Sequence, residues 1–169
     1  MFDARLINDP FEDPGVFVEL KYRREALLFD LGELRALSPR NLLKVREIYV
    51  SHTHMDHFIG FDHLVRVCLG RDQQINLFGP RGFIRNVENR LGSYTWNLVE
   101  NYSNDFVIEV TEMDPSHMKT KQYRCNEAFK GKTVRRSVKF NGTLLERDDC
   151  RVKTVFLDHK IPSLAFSVE

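Results

Sequence analysis

The chain has 169 residues, 42% of them hydrophobic and 29% charged, which suits one compact domain with an ordinary core. A net charge of +1 excludes a global basic field of the kind that gathers nucleic acid indiscriminately. No apolar run approaches the ~18 residues of a membrane span, so no membrane partner is expected. The start, Met1-Phe2-Asp3-Ala4-Arg5, lacks the apolar stretch of a signal peptide. Cys68, Cys125 and Cys150 are widely spaced and odd in number, which argues against a disulfide framework and fits a reducing cytoplasm.

In chain order, residues 4–7 and 16–22 predict paired strands around a turn rich in Asp and Pro. A short apolar run at 26–29 ends at Asp30, and Gly32 allows a sharp turn. Ser38-Pro39 opens a short helix, Ser38 as its cap and Pro39 in the first helical position. Glu47-Ile48-Tyr49-Val50 reads as a strand.

Directly after it comes His52-Thr53-His54-Met55-Asp56-His57, which holds three of the chain's six histidines. Imidazole nitrogen and carboxylate oxygen are ligands for divalent zinc. The cluster sits between a strand and a helical pattern, where open α/β layers bind ligands. His52 and His54 are two residues apart, so in extended backbone they point the same way.

Residues 56–69 predict an amphipathic helix ended by Gly70. A strand at 74–78 follows, then a helical stretch over 81–102 that Gly92-Ser93 can interrupt. From 106 onward the pattern turns to strands, at 106–110, 122–125, 134–140, 143–146, 152–157 and 162–168. Asn141-Gly142 signals a two-residue hairpin. His117 is expected in a loop. Basic clusters at 81–90 and 130–136 read as solvated faces or as phosphate grips.

The six-residue cluster resembles the HxHxDH signature of the metallo-β-lactamase superfamily. Within it the chain is most similar to the ribonuclease Z family, on LFDLGE at 28–33, SHTHMDHFIGFDHL at 51–64, INLFGPRGF at 75–83 and LDHKIPS at 157–163. The resemblance implies an α/β fold, namely the N-terminal half of an αββα sandwich, with residues 1–169 forming a single domain. It implies a hydrolase with two zinc ions in the complete site. His52, His54 and His159 would bind the first, and Asp56 and His57 would start the second. Asp56 would also be the catalytic carboxylate, orienting the nucleophile or accepting its proton. Asp30 would support the ligand loop from behind, or else simply cap a turn. His63 would be structural or superficial. The implied substrate is RNA, a tRNA precursor, or a small phosphodiester; a small ester, lactone or cyclic nucleotide is the alternative within the same fold.

Residues 160–169 contain neither His nor Asp. The resemblance calls for a bridging Asp and a last His after the third histidine block, and this stretch supplies neither, so one zinc is the plausible load of this chain and the chain alone is expected to be a weak or inactive hydrolase. A half-sandwich would also expose apolar strands, so a homo-oligomer or a complementary half is the expected partner, and a non-catalytic fragment is the remaining alternative.

Overall fold

Runs of β-branched and aromatic residues become strands that lie side by side in their sequence order. In the computed structural model, which describes residues 2–169, β1 (Phe2–Leu6), β2 (Val16–Leu20), β3 (Glu25–Phe29), β4 (Val45–Tyr49), β5 (Gln73–Pro80), β6 (Phe106–Met113), β7 (His117–Arg124) and β8 (Lys132–Lys139) form one sheet. Its centre, β3 to β6, is parallel; both flanks are antiparallel. A smaller antiparallel sheet has the order β11-β10-β9, from β9 (Thr143–Arg147), β10 (Cys150–Asp158) and β11 (Pro162–Val168).

The parallel strands need crossovers, and these carry α1 (Pro39–Leu42), α2 (Met55–Phe58), α3 (Phe61–Cys68) and α4 (Phe83–Gly92). Side chains alternate across the large sheet, so each central strand feeds two cores. Leu28, Ile48 and Leu77 face the helices and meet Phe61, Leu64, Val87 and Leu91. Their neighbours Leu27, Tyr49 and Phe78 face the small sheet and meet Val152 and Phe166. Tyr49 stacks between Phe29 and Phe78, with ring centroids 4.9 and 5.2 Å away. The result is helices, large sheet and small sheet, three layers of the expected sandwich. Val155, Leu157 and Ile161, at the small sheet, are exposed. No helix among the described residues is long and apolar enough to cross a membrane.

The expected helix cap at Ser38 is present, its hydroxyl accepting from the Asn41 amide at 3.3 Å. Several expectations differ. The helix expected over 56–69 is two helices, broken at Ile59-Gly60. The Gly60 amide donates to Leu31 O at 2.8 Å, and a Cβ there would lie 2.1 Å from Gly32 O, so only glycine lets the chain pass. The helical stretch expected over 81–102 is interrupted at Gly92-Ser93, the place the sequence marked: α4 ends at Gly92, where Ser93 Oγ and the Trp96 indole bind the freed carbonyls of Arg90 and Leu91. His117 begins β7 rather than lying in a loop.

Asn141-Gly142 does turn the chain, but not into a hairpin. β8 pairs with β7, whereas β9 pairs with β10 in the other sheet. Gly142, at φ +91°, accepts from Thr154 N at 2.8 Å. The turn is a crossover between sheets, because β9 and β10 bury Leu145, Cys150 and Val152 against the far face of the large sheet.

Candidate metal centre

The ligand loop lies beyond the carboxyl end of β4, a central strand of the large sheet. Val50 N still donates to Phe78 O at 2.8 Å; from Ser51 the chain is free of the ladder. His52 is buried, at 5% exposure, while His54 and Asp56 are exposed and His57 is half-buried. His54 precedes α2 in extended conformation, and Asp56 and His57 lie within its single turn.

Asp30 holds this loop. It sits at φ +59°, a left-handed conformation unusual for a non-glycine residue. Its Oδ1 accepts from Ser51 N at 2.7 Å; its Oδ2 accepts from Ser51 Oγ at 3.0 Å and lies 2.9 Å from His57 Nδ1. Asp30 therefore touches the loop backbone and the back of one imidazole. That contact set, more than turn capping, describes its place.

Ser51, which sequence reasoning passed over, is the hub. Its Oγ lies 3.0 Å from His52 Nδ1 and 3.1 Å from His57 Nδ1. With both Nδ1 atoms engaged, the orientation of these two rings is fixed and their Nε2 atoms are the nitrogens left for a metal. Its signal in the sequence was its place beside His52 at the head of the 51–64 block. Asn86 of α4 was missed as well; its Nδ2 donates to Thr53 Oγ1 at 2.7 Å and ties the loop to the helix layer.

His159 arrives from the small sheet. It follows β10 directly, and Leu164 N of β11 donates to Ser51 O at 3.0 Å, pinning that sheet to the ligand loop. The His159 ring centroid is 4.9 Å from that of His52 and 5.5 Å from that of His54. His52, His54 and His159 each offer a nitrogen, and these lie within 4.8 Å of one another. His52 Nε2 and His54 Nδ1 are 3.0 Å apart. Ligands at 2.0–2.1 Å in a tetrahedron are about 3.3 Å apart, so the set is compatible with zinc bound by three imidazoles and one open position. Asp56 Oδ2 is 3.4 Å from His57 Nε2, a second, two-donor position beside the first. His63 lies on α3 in a groove with Tyr94 and Trp96, and His117 bonds Ser116 Oγ at 2.9 Å; neither joins the cluster.

Burial, followed by the neighbouring His57 and His54, holds His52 below its ordinary pKa of 6.5, which favours the neutral, ligating form. His57 is raised, chiefly by its hydrogen bond to Asp30.

No protein-family model matches the chain. Ribonuclease Z of Deinococcus radiodurans is 31% identical over 176 aligned positions, covering 98% of this chain and 51% of that protein. Ribonuclease Z of Thermoplasma acidophilum is 26% identical, covering 92% and 42%. The chain thus spans about half the length of the curated relatives it matches. Among solved structures, human tRNase Z, short form, superposes with a TM-score of 0.59 at 18% identity, covering all of this chain and 65% of the other. The metallo-β-lactamase fold protein YhfI of Bacillus subtilis gives 0.57 at 12% identity, covering 99% and 58%. Both share the fold. With these likenesses beside the HxHxDH loop and its converging histidines, the chain is a ribonuclease Z-like protein of the metallo-β-lactamase superfamily.

Proposed function

We propose that this chain carries the zinc-binding part of a phosphodiester hydrolase of the ribonuclease Z type, acting on the 3′ ends of tRNA precursors. The observation that carries the reading is the convergence of His52, His54 and His159 from two different sheets, at the carboxyl ends of their strands. In this reading these three hold one zinc, and Asp56 with His57 begins a second position. Bound zinc supplies Lewis-acid polarisation of a phosphoryl oxygen and acidifies a water. Asp56, about half exposed beside His57, orients the attacking water or takes its proton. Asp30 and Ser51 keep the imidazoles aimed, and the buried wall behind His52 keeps that ring neutral.

Among the described residues only two donors stand at the second position, so the single 1–169 domain by itself is a slow catalyst in this reading. The exposed apolar residues Val155, Leu157 and Ile161 support self-association as its companion.

The test is hydrolysis of bis(p-nitrophenyl) phosphate by the zinc-loaded chain. Slow turnover that Asp56→Ala lowers at least tenfold is expected. Turnover of lactones or thioesters alone would contradict the phosphodiester reading.

A further inference from the structure

The fold brings together two basic clusters that are about fifty residues apart in sequence. Arg81 and Arg85, at the start of α4, border the same surface as Arg135 and Arg136 of β8. Lys119 and Lys121 of β7 lie between them, along with Glu88, Glu112 and Asp114. The two lysines are paired, Lys119 Nζ with Glu112 at 3.1 Å and Lys121 Nζ with Glu88 at 2.8 Å. The four arginines are exposed and make no ion pair among the described residues.

Strict alternation along a strand would send Arg135 and Arg136 to opposite faces. Both nevertheless border one cleft, at a place where the β7–β8 register shifts between Met118 and Thr120 and again between Thr120 and Lys121. β8 is an edge strand, and charges on an edge discourage unwanted strand pairing. That purpose explains cations on β8. It does not explain Arg81 and Arg85, which lie outside the strand and complete the surface.

The surface shares a rim with the metal centre. Arg81 directly follows β5, the neighbour of β4 in the sheet. α4 faces both ways, since Asn86 bonds Thr53 of the ligand loop while its neighbour Arg85 lines the basic cleft. Four strand spacings separate β4 from β8, roughly 19 Å.

We propose that this β7–β8–α4 surface binds the phosphate backbone of an RNA substrate and holds it against the rim that carries the ligand loop. The proposal rests on the phosphodiester reading above. Four unpaired guanidiniums on a chain of net charge +1 make a local cationic field, and guanidinium matches phosphate geometry. Contacts of this kind position the nucleic acid without reading its sequence.

The test is salt-dependent binding of a fluorescent tRNA precursor with a 3′ trailer, measured by anisotropy with the whole chain. Replacing both arginines of β8 (R135A/R136A) should lower the slope of log K against log salt by about two, and weaken binding at low salt about tenfold or more. R81A/R85A should do the same, which guards against a local defect in the edge strand. Neither pair should alter bis(p-nitrophenyl) phosphate turnover. An unchanged slope in both pairs, or arginine-dependent capture of phosphatidylserine vesicles without RNA binding, would overturn the proposal. If the nitrophenyl ester is cleaved but RNA binding ignores the arginines, the surface fails and the chemistry stands. If RNA binds through the arginines and no phosphodiester is cleaved, the surface stands and the phosphodiester reading fails.

Discussion

Asp30 and Ser51 illustrate how one residue pair can aim a whole loop. A carboxylate at positive φ takes hydrogen bonds from a backbone amide and a hydroxyl, and faces one imidazole. The consequence for pH follows from His57. Its folded pKa lies above its ordinary 6.5 because Asp30 favours the protonated ring. Protonated His57 therefore stabilises the metal-free fold fully below pH 6.5, and that contribution is lost as the pH rises through the raised folded value. In chelator-treated protein, the melting temperature of the wild type should exceed that of His57→Gln by most at low pH within the folded range. The gap should narrow as the pH climbs past 6.5. A gap that widened with pH would reverse the sign of the argument.

At the scale of elements, the small sheet is clipped to the large one by Arg147 of β9. Its guanidinium donates to Glu25 on β3 at 2.8 Å and to Glu47 on β4 at 3.0 Å. Burial pushes the Glu47 carboxyl above the usual range, while Asn76 and Arg147 pull it back. Arg147→Met should leave Glu47 with Asn76 alone. Urea unfolding should register a loss of about 2–4 kcal/mol, less than for a fully buried pair because Arg147 is one-quarter exposed. The double variant Glu47→Leu/Arg147→Met should recover part of it. Neither this clip nor the break at Gly60 was legible in the sequence. Both depend on partners far along the chain, Glu25 and Glu47 in one case and Gly32 in the other. The helix at Ser38-Pro39 was legible because its cap is local. Asn141-Gly142 was half legible: the residues fix a turn, but which strand the chain then meets is settled by where β9 and β10 bury their apolar faces.

At the scale of the molecule, the candidate site has a local part and a distant part. The ligand loop could be read directly, since His52, His54, Asp56 and His57 fall within six residues after an evident strand. His159 could be placed only by resemblance, because 101 residues and a change of sheet lie between it and His57. The basic surface was invisible as one object for the same reason; each half looked like an ordinary solvated face. What joins the halves of the candidate site is the docking of the small sheet, through Phe166 against Phe29 and Tyr49 and through Leu164 N to Ser51 O.

That junction makes zinc binding the most direct test of the account. Titration of the metal-free chain against a competing chelator should show one tightly held zinc ion per chain. His159→Ala should weaken it by a factor of ten or more while leaving the fold intact by circular dichroism. Zinc affinity indifferent to His159, or no tight zinc at all, would contradict the convergence of His52, His54 and His159 on one ion.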